Sequence, residues 1–340
     1  MARNTYGLDL GSYEIKVYDK KKDTLWKEKS VIAIENNREI LAVGDDAFEM
    51  YEKTPSSIEV IFPMQNGVIS RFTNMQFLLQ NLLKKDRQLA RGAEYVIAVP
   101  TDITEVQKKA FFDLVIHSTA KAREVNVVER SIADAVGLNI DVKNTKGVLI
   151  ANFGGDTTEL SVLAGGGMVL NRLLKIGGST FDQAIITLIR NSHDFLIGSH
   201  SAELLRQRFD VFGADAETAV MAAGRDLITG VPMRKGISVN LVRAAFKDPL
   251  MECIRAIRSL LDRTPPEVRK AIYENGIFLT GGIANTKGLD LYIEKSIGIP
   301  VRTAQNPEFC SVNGIKKIIM SKDLRQLAFS MLDEKYRWMR

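Results

Sequence analysis

The sequence predicts an α/β protein made of two similar halves, and three observations carry that prediction. Its 340 residues are more than twice the ~150 of a typical single domain. Apolar, strand-like runs alternate with amphipathic helical segments along the chain. Finally, Asp9-Leu10-Gly11-Ser12 and Asn152-Phe153-Gly154-Gly155, 143 positions apart, hold the same place in two strand-turn-strand units, as an internal duplication would leave them.

In chain order, Thr5 to Tyr18 reads as two strands around a Gly11-Ser12 turn, because Ile15 and Val17 alternate with Glu14 and Lys16. Glu94 to Val99 is a short apolar run stopped by Pro100. Asp102-Ile103-Thr104-Glu105 then has the form of a helix-opening capping box, and Val106, Ala110, Leu114 and Val115 share one helical face behind it. Gly147 to Gly155 is a second apolar strand entering a glycine turn. Strands Glu159 to Ala164 and Met168 to Lys175 flank Gly165-Gly166-Gly167, and a helix from about Thr180 to Asn191 follows. Thr264-Pro265-Pro266-Glu267 supplies an N-cap, a first-turn proline and a glutamate three positions past the cap, so a helix starts there and ends near Gly276. The strand Ile277 to Leu279 runs into Thr280-Gly281-Gly282, which opens another helix. Leu324, Leu327, Ala328, Met331 and Leu332 recur at helical spacing ahead of the Trp338-bearing basic tail, so an amphipathic C-terminal helix is expected.

Composition narrows the function classes. With 45% hydrophobic and 26% charged residues, the chain resembles an ordinary globular protein, which excludes disordered and fibrous classes. Cys253 and Cys310 are far apart and the histidines are His117, His193 and His200, a set that argues for a reducing cytoplasm and against a zinc enzyme. No run approaches the ~18 consecutive apolar residues of a membrane span, and no leader pattern precedes TYGLDLG, so the expectation is a protein neither secreted nor membrane-spanning. The net charge of +5 is mild. Its basic clusters, Lys20 to Lys22, Lys84 to Arg91 and Lys335 to Arg340, lack the interleaved aromatics of a nucleic-acid stripe, so no nucleic-acid partner is expected.

Paired glycine turns suggest chemistry. Glycine lets backbone approach a ligand closely, and a turn presents N–H groups to phosphate oxygens. One such turn is equally a plain tight hairpin. Two in register, with a third at Gly281-Gly282, favour a polyphosphate gripped from both sides, and a carboxylate before a turn suits the water shell of Mg²⁺.

The residues resemble a known family, the actin-like ATPases and within them the bacterial MreB proteins. The resemblance rests on GLDLGSYEIKVY (Gly7 to Tyr18), TPSSIEVIFPMQNGVI (Thr54 to Ile69), AVPTDITEVQKKA (Ala98 to Ala110), FGGDTTE (Phe153 to Glu159), KIGGSTFDQAI (Lys175 to Ile185) and TPPEVRKAIYENGIFLTGGIANTKGLD (Thr264 to Asp290). It runs nearly end to end. It implies the actin-like ATPase fold, with duplicated ribonuclease-H-like domains in four subdomains around a cleft holding ATP and Mg²⁺. The expected halves are 1–145, with an insertion at about 31–72 and completed by 315–340, and 146–314, with an insertion at about 183–250. The resemblance also implies a cytoplasmic, peripherally membrane-associated filament of self-assembled subunits that works with cell-wall elongation proteins.

Carried over residue by residue, Asp9 matches the aspartate of the first phosphate loop, with Gly11, Ser12, Tyr13 and Glu14 at its turn. Lys16 falls where actin relatives place a phosphate-contacting lysine, although MreB proteins usually have an apolar residue there; the alternative is a solvent-facing strand lysine. Gly154, Gly155, Asp156 and Thr157 form the second loop. Glu203, Leu204, Leu205 and Arg206 resemble the E-x-x-K nucleoside clamp with arginine for lysine. Gly281, Gly282, Ile283, Ala284 and Asn285 match the adenosine loop, with Ile283 in place of a third glycine and expected to crowd the nucleotide.

Two departures bear on mechanism. The family pattern D-I-G-G-G-T-T-E reads Asn152-Phe153-Gly154-Gly155-Asp156-Thr157-Thr158-Glu159 here. Asp9 and Asn152 would hold magnesium through water, but Asn152 brings no charge, and Asp156 adds an anion unless it turns away to cap its own hairpin. The hydrolytic glutamate of E-E-P-M-A-A-A-I-G aligns with Arg130 in Glu129-Arg130-Ser131-Ile132-Ala133-Asp134-Ala135-Val136-Gly137. A guanidinium is no base. Glu129, Thr157 and Thr158 remain as candidate catalytic groups, and nucleotide binding with very slow or absent hydrolysis is expected.

The resemblance also implies membrane contact through a loop just before the strand that leads to Val99-Pro100, where the chain offers Lys84, Lys85, Arg87, Leu89 and Arg91, a basic segment worth roughly 1 kcal/mol per cation at the anionic inner leaflet of the cytoplasmic membrane. Three further readings stay open. A non-hydrolysing partner co-assembling with a conventional MreB follows from the altered site. A small-molecule kinase on the same fold needs a substrate-site carboxylate, and a heat-shock-type regulator needs a further peptide-binding domain.

Overall fold

The computed structural model describes residues 4–36, 39–84, 92–118, 121–213 and 218–332. These divide into two units. One runs to Thr145 and also takes Gly165–Gly167 and the segment from Phe309; the other comprises Lys146–Ala164 and Met168–Glu308.

The first unit opens with β1 (Thr5–Leu10), β2 (Glu14–Asp19) and β3 (Thr24–Lys29). A small sheet of β4 (Ile32–Glu35), β5 (Glu39–Val43) and β6 (Ile58–Ile61) then pairs in the order β5-β4-β6 and closes with α1 (Asp45–Met50) over Val31, Ala33 and Ala47. After the hairpin β7 (Met64–Gln65) and β8 (Val68–Ile69) come α2 (Phe72–Lys84), β9 (Glu94–Val99), α3 (Glu105–Ile116), β10 (Glu124–Glu129) and α4 (Arg130–Gly137). The main sheet has the order β10-β9-β1-β2-β3, antiparallel through β1, β2 and β3 and parallel through β1, β9 and β10. All six residues of β1 are buried, as a central strand covered on both faces requires. Edge strand β3 carries Lys27, Glu28 and Lys29, which discourages pairing with a foreign strand.

The capping box of α3 forms two residues later than expected. Thr104 is its N-cap, accepting from the Gln107 N–H at 3.3 Å while Gln107 Oε1 accepts the Thr104 N–H at 2.9 Å. Val106 does not share the buried face. It is 79% exposed, and Phe111, Phe112, Leu114 and Val115 form the apolar stripe instead.

The second unit repeats the sheet. Its elements are β11 (Val148–Phe153), β12 (Thr158–Ala164), β13 (Gly167–Leu174), α5 (Gly178–His193), β14 (Phe195–Leu196), α6 (Ser199–Arg208), β15 (Ala219–Asp226), β16 (Pro232–Ser238), α7 (Val239–Arg263), α8 (Pro266–Asn275), β17 (Ile277–Thr280), a 3-10 turn at Gly282–Asn285, α9 (Leu289–Ile297) and β18 (Val301–Thr303). The order β13-β12-β11-β17-β18 has β11 antiparallel to β12 and parallel to β17, the arrangement of β1 between β2 and β9. Strands β14, β15 and β16 make a separate small sheet. Phe181 of α5 stacks on Phe246 of α7 at 4.5 Å in the core. The cap of α8 is Pro265 with Pro266 at the first helical position. Thr264 instead closes α7, its hydroxyl donating to the Leu260 carbonyl at 2.8 Å.

Helix α10 (Cys310–Met320) belongs to the first unit and packs on α4 through two glycines. A Cβ on Gly137 would overlap the Cys310 carbonyl, and one on Gly314 the Ala133 carbonyl, so the backbones touch directly. The segment after α10 is not the expected amphipathic helix. A 3-10 turn at Arg325–Leu327 leads to Phe329, which exchanges hydrogen bonds of 2.9 and 2.8 Å with Val127 of edge strand β10. Pairing with open strand edges outweighs a helical spacing that is too short to pack a helix.

Candidate functional site

The two hairpin turns form the same way. In the first unit the Gly11 N–H donates to the Glu14 carbonyl at 3.1 Å; in the second the Gly154 N–H donates to the Thr157 carbonyl at 2.8 Å. Each closes a turn at the end of a central strand.

In the first unit, Asp9, next to last in β1, is nearly buried. The Arg130 Nε stands 3.5 Å from Asp9 Oδ1, and Arg130 also donates from a terminal nitrogen to the Leu10 carbonyl at 3.2 Å. Ser12 is buried, its hydroxyl accepting the Gly67 N–H at 3.2 Å. Lys29 lies over the Tyr13 ring at 3.9 Å. The Glu14 carboxylate is ringed by Lys29 at 3.0 Å, Lys27 at 3.4 Å and Lys16 at 3.6 Å. Burial pushes Glu14 up, but the three ammonium groups outweigh it and hold the carboxyl below its ordinary value. Lys16 is therefore half-buried and ion-paired rather than solvent-facing.

Glu129 ends β10 and Arg130 begins α4, so their side chains leave the backbone in different directions. Glu129 sits 3.9 Å from Lys108, and burial raises its carboxyl above the ordinary value against that lysine's pull. Asp134, one turn along α4, is fully buried and accepts the Ser311 hydroxyl at 2.6 Å. Lys317 closes the far end of α4, donating to the Val136 and Gly137 carbonyls at 3.1 and 3.0 Å.

In the second unit, Asn152, next to last in β11, is half-buried. The Gly155 carbonyl accepts the Ser179 N–H at 2.8 Å, and the Ser179 hydroxyl donates to Asp156 Oδ1, also at 2.8 Å. Asp156 thus turns toward the start of α5. Thr157 and Thr158 are buried, and the Thr158 hydroxyl donates to the Ile176 carbonyl at 2.8 Å, which commits its proton to the fold.

Arg206 on α6 makes a bidentate pair with Asp182 on α5, at 2.7 and 3.2 Å, and stands 3.8 Å from Glu203. Burial pushes the Asp182 carboxyl up against the guanidinium's pull. Of the neighbouring leucines, Leu205 faces the core and Leu204 is exposed, as helical periodicity dictates. Gly281 adopts φ +84°, and a Cβ there would overlap the Phe153 carbonyl, so glycine is required. Gly282 and Asn285 are exposed; Ala284 is buried. Ile283 does not crowd the loop's outer face: it is 4% exposed and packs in the core against Gly178.

Lys84 ends α2, and Lys85, Arg87, Leu89 and Arg91 lie outside the described residues, as does the Trp338 tail. Among the described residues no helix is long and apolar enough to cross a membrane. Asp182 and Lys108 are the site neighbours that the sequence reading missed. Asp182 stands in the KIGGSTFDQAI stretch, one turn into α5, where its carboxylate was the available signal.

The profile of the MreB/Mbl protein family matches residues 3–327. Cell shape-determining protein MreB of Escherichia coli (strain K12) is 32% identical over 333 residues, covering 95% of each chain. Cell shape-determining protein Mbl of Bacillus subtilis (strain 168) is 30% identical over 321 residues, 93% of this chain and 96% of that one. Among solved structures, MreB5 of Spiroplasma citri bound to AMPPNP superposes with a TM-score of 0.89 at 27% identity, covering 96% of this chain and 99% of that one. The MamK double helical filament matches with a TM-score of 0.79 at 21% identity over 94% of this chain and 99% of its own, a likeness of fold.

Proposed function

The chain belongs to the MreB/Mbl family of cell-shape-determining, actin-like proteins, and from that membership we propose that it binds ATP and assembles with copies of itself into filaments. The observation that carries this reading is the duplicated turn: Gly11 to Glu14 and Gly154 to Thr157 close with the same hydrogen bond at the ends of equivalent strands. Glycine turns of this form bind phosphate through backbone N–H groups. The crystallised Spiroplasma MreB5 relative carries AMPPNP, an ATP analogue, and another structure of it carries ADP.

In this reading the turn residues Gly11 to Glu14 of the first unit and Gly154 to Thr157 of the second receive phosphates. Glu203, Arg206, Gly281 and Gly282 receive the nucleoside. Hydrolysis is slow or absent, because Arg130 is a permanently protonated group that accepts no proton from water. Glu129 is drawn toward Lys108 and Thr158 toward the Ile176 carbonyl. Cellular work follows the relatives: a cytoplasmic filament at the inner membrane surface, touching it through the basic 84–91 segment and organising wall synthesis.

Equilibrium titration of a fluorescent ATP analogue, with unlabelled ATP as competitor, tests the binding. Saturable one-to-one binding is expected, weakened at least about tenfold by Gly281→Val. A purified, folded chain that binds neither ATP nor ADP refutes the reading.

A further inference from the structure

We propose that Arg130 supplies the positive charge that a divalent cation would otherwise bring to the first unit's phosphate turn, so that nucleotide binding by this chain does not require magnesium. The inference rests on the ATP-binding reading above and adds which cation answers the phosphate charge.

The donors expected for magnesium do not fit it. Mg²⁺ dehydrates reluctantly and is held through its own waters, substrate phosphates and one or two carboxylates, so the few carboxylates the protein offers weigh on whether the ion is needed there. Asp9 is the first unit's donor, and its charge is already met. Its side chain is 9% exposed beside a guanidinium that is 10% exposed, with 3.5 Å between Arg130 Nε and Asp9 Oδ1. At so little exposure the pair is weakly screened by water, and a second cation approaching Asp9 meets the repulsion of the first. The second unit's matching residue, Asn152, is a neutral amide.

Arg130 is built into its place. Its guanidinium is tied to the Leu10 carbonyl, the last residue of β1 before the Gly11 turn, so the charge is anchored at the base of that turn. Its backbone begins α4, and α4 is seated on α10 by the close approaches at Gly137 and Gly314 and by the Ser311–Asp134 hydrogen bond at 2.6 Å. Ser131, the next residue, exchanges a hydrogen bond of 3.1 Å with Thr101 just after β9. An arginine so held cannot lose its proton, and its planar fork matches phosphate oxygens. It therefore cancels the Asp9 charge that a phosphate would otherwise meet, the task magnesium would perform as a diffusible ion, and leaves the turn's N–H groups to take the phosphate.

The test is the ATP affinity of the wild-type chain in excess magnesium and in excess EDTA, measured by the competition titration described above. The two dissociation constants are expected to agree within about threefold. Arg130→Ala is expected to lose at least about tenfold in EDTA and to recover part of that loss with magnesium; Arg130→Lys, which keeps the charge, is expected to lose less. Wild-type binding that weakens more than about tenfold in EDTA overturns this inference and leaves ATP binding standing. Arg130→Ala binding as tightly as wild type in EDTA overturns it equally. Absence of binding in both buffers overturns the ATP-binding reading itself, and this inference with it. The wild-type comparison needs no variant, so a misfolded mutant cannot obscure the outcome.

Discussion

Replacing Gly314 by alanine isolates the contact that holds Arg130's helix in place. A Cβ at Gly314 would overlap the Ala133 carbonyl oxygen outright, with the carbonyl carbon at 2.6 Å and Ala133 Cα at 3.1 Å. Ordinary carbon contacts begin near ~3.5 Å, so α4 and α10 must separate by about 1 Å. The obstacle is backbone, which no rotamer change can move aside. Overpacking of this kind costs about 1–3 kcal/mol, and a backbone obstacle favours the upper end. Alanine's better helix propensity returns about 1 kcal/mol. The net expectation is a destabilisation of about 1–2 kcal/mol, read as a lower urea midpoint. Gly236→Ala is the control, since its nearest neighbour would be Met221 Sδ at an ordinary 3.8 Å. Equal midpoints for wild type and Gly314→Ala would refute the close approach of α4 and α10.

Asp182→Ala takes the bidentate partner from the mostly buried Arg206 guanidinium and should lower stability by about 3 kcal/mol, measured by thermal unfolding, while Asp182→Asn should cost less. Lys317→Met withdraws the donor from the Val136 and Gly137 carbonyls at the end of α4 and should cost about 1–2 kcal/mol in urea unfolding. Glu129→Gln has a pH signature. Burial raises the native carboxyl above its unfolded value, so the stability it contributes is complete below the unfolded value and is lost as pH rises through the native one. The glutamine variant should therefore be more stable than wild type at neutral pH, with the gain vanishing in acid; a constant difference across pH in urea unfolding would contradict the assignment.

Local signals were legible in the sequence. A glycine turn between alternating strands is decided within about ten residues, and both hairpins form where Gly11 and Gly154 place them. The repeated strand order follows from the same duplication. The C-terminal segment was misread because Leu324, Leu327 and Met331 keep helical spacing, while the open edge of β10, two hundred residues earlier in the chain, decides its conformation. Ile283 stands where the family pattern has a glycine, and its inward direction in the 3-10 turn depends on the core beneath it, which the local sequence does not encode. The partners of site residues were the least legible. Arg130 meets Asp9 across 121 positions and Arg206 meets Asp182 across 24, and no periodicity encodes such pairs. Where the family pattern changed, the sequence identified the altered residue but not what it would touch.

The central claim, that this chain is a nucleotide-responsive filament protein, is tested most directly by sedimentation over a concentration series without nucleotide and with ADP, ATP or a non-hydrolysable ATP analogue. Pelleting is expected above a critical concentration with ATP, and equally with the analogue, if assembly follows binding rather than hydrolysis as proposed. Pelleting indifferent to nucleotide would contradict the switch, and no pelleting under any condition would contradict self-assembly and favour a partner that co-assembles with a conventional MreB.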